Sequence, residues 1–237
     1  MRLVLVTNRK LASYPQVGAG LAGERFLDAV REAVAGGMDT VILREHDATA
    51  KELFALATEC KAIAHAGGAK FIVNHSLDVA LAVEADGVHL GWRSLPAREV
   101  RKLAPRPFLV GVSTHSGVFP HRQAGRAGIK ACRPCRPMGE NIVGAAERCA
   151  DDPVDYLFLG PIFPTPSKAG LVEPLGVEAI RAAKKAVKIP VIAIGGIKPG
   201  NVREVMAAGA DGVAVISHIM GAASPREAAQ ELKAAMG

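Results

Sequence analysis

The chain has 237 residues, of which 49% are hydrophobic and only 4% aromatic, and it carries a net charge of +6. That length suits one domain with a sizeable core, which Ala, Val, Ile and Leu must fill. Four cysteines are too few for a disulfide scaffold, no apolar run approaches the roughly 20 residues that span a bilayer, and residues 117–150 alone hold +4 of the charge, which argues against a nucleic-acid surface over the whole domain.

Met1-Arg2 runs directly into LVLVT, a short strand, so no signal peptide is expected and the protein is read as cytoplasmic. Apolar, β-branched runs then alternate with amphipathic segments. The runs predict strands at 3–7, 40–43, 71–73, 87–90, 108–112, 156–159, 191–194 and 212–216. The segments between them predict helices at 24–35, 50–66, 77–85, 97–103, 140–149, 176–186, 201–208 and 225–235. Eight strands alternating with eight helices predict an α/β fold, a single (β/α)8 TIM barrel over residues 1–237, with a doubly wound open sheet as the alternative. Ala85-Asp86-Gly87-Val88 before the fourth strand is echoed by Ala210-Asp211-Gly212-Val213 before the eighth, a repeat half a barrel apart. Residues 117–139 break the pattern. They form a basic insertion rich in Gly, Pro and Arg, and a loop of this length is usually functional or disordered.

The predicted strands share a polar end: Thr7-Asn8, Arg44, Asn74, His89, Ser113, Gly160, Gly195 and Ser217. In a barrel, that end carries the site. The stretch from Ile189 to Ser217 sharpens this. Two glycines, Gly195 and Gly196, end one buried strand, and Ile216-Ser217 end the next. Loops after the last two strands of such barrels commonly cradle phosphate through backbone N–H groups, so a phosphorylated ligand is expected.

Several blocks together then resemble the thiamine phosphate synthase/TenI family: VILREHD (41–47), FIVNHSLDVALAVEADGVHLGWRSLP (71–96), GVSTHS (111–116), LGPIFPTPSK (159–168), PLGVEAI (174–180) and the IAIGGI to AAGADGVAVIS segment. The resemblance implies thiamine biosynthesis on small phosphorylated substrates. A synthase of this family couples a pyrimidine methyl diphosphate to a thiazole phosphate and releases diphosphate, with magnesium balancing the charge. TenI relatives keep the thiazole phosphate site, and some tautomerise thiazole carboxylate phosphate. By this resemblance Thr165, Pro166 and Ser167 form the thiazole-binding turn, and Gly195, Gly196, Ile216 and Ser217 form the phosphate cradle. Arg44, Asn74, Ser113 and Lys168 fall where the family holds diphosphate.

Four positions depart from the synthase pattern. Ile42 stands where that pattern has Gln, and His46 where it has Lys. His75 and Ser94 stand at or near its two magnesium-binding Asp positions. Magnesium favours carboxylate oxygens and water, so no metal ligand is assigned and Mg2+ is expected only if the protein is a synthase. Arg93 is a candidate to neutralise diphosphate instead. These departures favour a TenI-like tautomerase, which needs an acid/base group. The family's tautomerase His would follow the sixth strand, but Pro161 is there. Of His46, His75, His89 and His115 on the expected face, His75 is the best placed, so Lys168, His75 and Ser113 are the candidate catalytic residues. The synthase itself and a non-catalytic thiazole phosphate binder or regulator remain alternatives.

Cys132-Arg-Pro-Cys135, with Cys149 and His121, offers a set of zinc-binding atoms, but a lone C-x-x-C is a weak zinc signal. Surface thiols on an insertion are the simpler reading. No nucleic acid or membrane partner is expected, and the family resemblance makes a homodimer possible.

Overall fold

The computed structural model describes residues 2–11, 22–91, 94–114, 153–165 and 173–237. Eight parallel strands close into a barrel in chain order: β1 Leu3–Val6, β2 Thr40–Leu43, β3 Lys70–Asn74, β4 Gly87–Leu90, β5 Leu109–Thr114, β6 Tyr156–Leu159, β7 Val191–Ile194 and β8 Gly212–Val215. β8 pairs with β1 through Leu3 and Val213, so the sheet has no free edge. The described helices are α1 Ala22–Ala35, α2 Ala50–Ala66, α3 Leu77–Ala82, α4 Ala97–Leu103, α5 Glu178–Ala186, α6 Pro199–Ala207, α7 Ser217–Met220 and α8 Pro225–Met236. The closed barrel excludes the doubly wound alternative. None of the described helices is long and apolar enough to cross a membrane.

The sequence places most elements within two residues of their observed bounds, and the differences have local causes. α3 stops at Ala82 rather than Ala85, because Glu84 turns into the left-handed region at φ 53°. α5 starts after Gly176, which has φ 69°. β5 extends to Thr114, where Ser113 and Thr114 still pair with Phe158 and Leu159. β8 ends at Val215, and α7 follows as a four-residue helix that periodicity cannot detect. A 3-10 turn at Arg9–Leu11 also has no sequence signal. The candidate helix at 140–149 and the insertion at 117–139 lie outside the described residues.

Side-chain alternation separates two cores. Val4, Val6, Ile42, Ile72, Tyr156, Phe158, Ile192 and Ala214 fill the barrel interior. The opposite strand faces, including Leu5, Leu43, Phe71, Val88 and Leu157, pack beneath the helices. Each such buried side chain contributes roughly 1.5–3 kcal/mol over exposure. Helix starts are fixed by capping: Thr49 and Glu52 form a reciprocal box on α2, and Ser224 caps α8 ahead of Pro225.

The Asp-Gly echo is part of a fourfold device at the N-terminal end of the strands. Asp39, Asp86, Asp155 and Asp211 each immediately precede an even-numbered strand. Each carboxylate accepts a backbone N–H from the preceding odd-numbered strand: Leu3 at 3.0 Å, Phe71 at 2.7 Å, Val110 at 2.8 Å and Val191 at 2.7 Å. The backbone N–H of each Asp donates back to the carbonyl of the same residue. Chain entry is thereby pinned at four points, and the opposite end is left for chemistry.

Candidate active site

Period-2 alternation aims residues two beyond the interior layer into the barrel mouth. Ile42 leads to Arg44 and Ile72 to Asn74; Gly111 leads to Ser113 on β5. Arg44, Asn74 and Ser113 are each partly buried there.

Arg44 is held through its backbone. Its N–H donates to Thr7 Oγ1 at 3.0 Å, and the Thr7 hydroxyl donates to Glu45 Oε1 at 2.6 Å. The Arg9 N–H donates to both Glu45 oxygens, at 3.1 and 3.0 Å. This buried carboxylate ties the ends of β1 and β2 together. Burial pushes the Glu45 pKa up, opposed by the Thr7 and Arg9 hydrogen bonds. Burial also lowers that of Arg44, opposed by the Glu45 charge. Sequence reading passed over Glu45, because nothing distinguishes a buried Glu after a strand from a solvated one.

His75 and Ser94 meet. His75 Nδ1 lies 2.6 Å from Ser94 Oγ, which also accepts from the Gly91 N–H at 3.1 Å. A side chain at Gly91 would collide with the His75 imidazole, so glycine there makes room for the ring. The His75 backbone sits at φ 68°, uncommon for a residue with a side chain. The His46 ring lies beside it, with centroids 5.4 Å apart. A cleft of about 440 Å3 opens between α3 and α4, lined by His75, Ser94, Asp78 and leucines including Leu81 and Leu95. Asp78 is an acidic residue near these positions that sequence reading did not weigh.

His89 is a buried lining residue. It lies 2.8 Å through Nε2 from Ser113 Oγ and 3.2 Å through Nδ1 from the Tyr156 hydroxyl.

At β7, Gly195 and Gly196 have φ 99° and 68°, and a Cβ on either would come within 2.7 Å of backbone atoms in the turn after β6. The pair therefore serves both conformation and close approach. Asn201 fixes the turn, donating to the Gly196 carbonyl at 3.0 Å and accepting from the Lys198 N–H at 2.7 Å. Because β7 and β8 pair, Ile216 and exposed Ser217 open α7 on the neighbouring strand end. Thr165 is partly buried after β6. Arg93, Pro166, Ser167 and Lys168 lie outside the described residues, as do His115, His121, Cys132, Cys135 and Cys149.

The donors at 75 and 94 do not fit magnesium. An imidazole and a hydroxyl bonded to each other offer no carboxylate oxygen. Among the described residues, no group of three or more His, Cys, Asp or Glu side chains is arranged to hold a metal ion.

A family model described as thiamine monophosphate synthase, TMP-TENI, matches residues 5–129 and 140–219. The chain belongs to this family. It is 41% identical over 89% of its length to a thiamine-phosphate synthase of Moorella thermoacetica, covering 88% of that protein. A thiamine-phosphate synthase of Shouchella clausii is 39% identical, with 90% of each chain covered. The solved thiamine phosphate pyrophosphorylase of Pyrococcus furiosus superposes with a TM-score of 0.77 at 31% identity, covering 99% of this chain and 95% of that one. This member of the family carries the hydrogen-bonded His75–Ser94 pair described above.

Proposed function

We propose that the protein is a thiamine phosphate synthase, a transferase joining a pyrimidine methyl diphosphate to a thiazole phosphate. The observation that carries this reading is the 41% identity, over 89% of the chain, to a protein of that name. The strand-end face supports it. In the reaction the methylene–oxygen bond breaks and its electron pair leaves on diphosphate. The thiazole nitrogen lone pair then forms the new carbon–nitrogen bond. Such chemistry requires cations and donors around the leaving group. Arg44, with a fork suited to phosphate oxygens, and Asn74 and Ser113, as neutral donors, take the diphosphate side. Lys168 and Arg93 add positive charge there, in place of the metal. Gly195, Gly196, Ile216 and Ser217 take the thiazole phosphate, with Thr165, Pro166 and Ser167 on the thiazole ring.

One observation favours tautomerisation of thiazole carboxylate phosphate as the second reading. His75 is held in a strained backbone conformation, hydrogen-bonded to Ser94 and beside His46, and such an imidazole is suited to moving a proton near neutral pH. Both readings are tested by incubating the protein with each substrate set. Thiamine phosphate seen by mass spectrometry supports the synthase. Isomerised thiazole seen by NMR without coupling overturns it in favour of the tautomerase, and binding without either product leaves a carrier or regulator.

A further inference from the structure

Beneath Ser113, three strands place polar groups in a continuous row inside the barrel. His89 on β4 registers with Gly111 on β5, and Gly111 registers with Tyr156 on β6. A side chain at Gly111 would collide with the Tyr156 phenol, so the glycine opens the space through which Tyr156 reaches His89. His89 is 4% exposed and Tyr156 3%. The imidazole is packed between Tyr156 and Phe158, with centroid separations of 5.6 and 4.3 Å. Ser113, two residues beyond Gly111 on the same face, bonds the other imidazole nitrogen at 2.8 Å.

The direction of these bonds follows from satisfying every proton. Burial pushes the Tyr156 phenol pKa up, so the group is a neutral donor that must spend its hydrogen. Among the described residues, its hydrogen-bond partner is His89 Nδ1, at 3.2 Å. Were Nδ1 protonated, it would donate to the phenol oxygen, and the buried phenol hydrogen would be left without an acceptor among the described residues.

We propose that Tyr156 and His89 are positioning residues for Ser113. Tyr156 donates to His89 Nδ1, His89 Nε2–H donates to Ser113 Oγ, and the Ser113 hydroxyl hydrogen is thereby directed to the phosphorylated ligand in the barrel mouth. The assignment of a ligand to Ser113 rests on the synthase reading, but the tautomer of His89 does not. A hydroxyl whose lone pair is already occupied is oriented before substrate arrives, which preserves the binding free energy otherwise spent on ordering it.

Nitrogen-15 NMR of the full-length protein, labelled at histidine and assigned through His89→Gln, reads the tautomer directly. A neutral Nε2–H imidazole near neutral pH supports the relay, and Tyr156→Phe then shifts the Nδ1 resonance. An Nδ1–H or charged imidazole overturns it. Kinetics supply the second arm. His89→Leu lowers kcat/KM for coupling by roughly 10- to 100-fold in the wild-type background but only slightly on top of Ser113→Ala, and His89→Gln, which retains a donor, recovers most of the loss. Full additivity of His89→Leu and Ser113→Ala contradicts the relay, because His89 would then act independently of Ser113. Absence of coupling by the wild-type protein rejects the synthase reading instead, and the tautomer then decides the relay alone.

Discussion

His75 Nδ1 bonds Ser94 Oγ at 2.6 Å, so the two positions at which the family resemblance expects magnesium-binding acids are tied to each other. The pair is braced by the Gly91 N–H and needs the space that Gly91 leaves. Its chemistry is that of a neutral or protonated donor, not of a hard-cation ligand. Removing magnesium with a chelator is expected to change the wild-type coupling rate by less than about tenfold, a small fraction of what a metal contributes where it stabilises a leaving group. The double variant His75→Asp/Ser94→Asp is expected to become magnesium-stimulated. Rates measured across a magnesium titration check both statements, and an unchanged metal response in the double variant would contradict the correspondence of these positions.

The β7 glycines give a second prediction. Gly195→Ala forces a Cβ to 2.7 Å from Pro161 at φ 99°, where an L side chain is already strained. The expected cost is at least ~1 kcal/mol of stability. Affinity for thiazole phosphate should fall as well, because the cradle cannot keep its shape. Thermal unfolding and ligand titration measure the two effects separately. Gly200→Ala is the control, since a Cβ there meets nothing within 4 Å.

The aspartate clamps at the opposite end predict an acid-side loss of stability. Burial disfavours the Asp155 and Asp86 carboxylates, but hydrogen bonds outweigh it. Val110, Arg101 and Arg106 bond Asp155, Phe71 and His65 bond Asp86, and both pKa values lie below the usual 3.8. With a folded pKa below the unfolded one, the stabilisation is present above the unfolded pKa and disappears as pH falls through the folded value. Asp155→Ala should cost about 1–3 kcal/mol near neutral pH, with a flatter decline toward acid than wild type. Urea unfolding as a function of pH tests this, and catalysis at the distant mouth should be little changed in protein that remains folded.

On the proposed reading, Arg44 serves binding and Glu45 serves the framework. Arg44→Ala should weaken diphosphate binding by roughly 10-fold or more, with Arg44→Lys restoring only part because the bidentate fork is lost. Glu45→Ala removes the acceptor for Thr7 and Arg9, so it should lower stability by about 1–3 kcal/mol. Inhibition by free diphosphate and denaturant melts, run on the same proteins, separate the two roles.

The fold was legible because hydrophobic runs and helical segments alternate without interruption through most of the chain. Strand ends were legible too, since Arg44, Asn74, Ser113 and Gly195 each follow an apolar run. What could not be read were contacts that depend on three dimensions. The Asp86–Asp211 echo was visible, but Asp39 and Asp155 lack the neighbouring Gly and belong to the same device only through their hydrogen bonds. The bond between His75 and Ser94 spans 19 residues, and the His89–Tyr156 contact spans 67. The space that Gly111 leaves is filled by the Tyr156 phenol, a contact between strands that the sequence does not display. The four-residue α7 is little more than one helical turn, too short for an apolar periodicity to repeat and announce it.

The central claim, that this barrel is a synthase, is tested most directly by mixing the protein with pyrimidine methyl diphosphate and thiazole phosphate, with magnesium and with chelator, and quantifying thiamine phosphate and diphosphate together. The account predicts both products in equal amounts, with Arg44→Ala strongly impaired. Binding or isomerisation of the thiazole with no coupled product under either condition would contradict it.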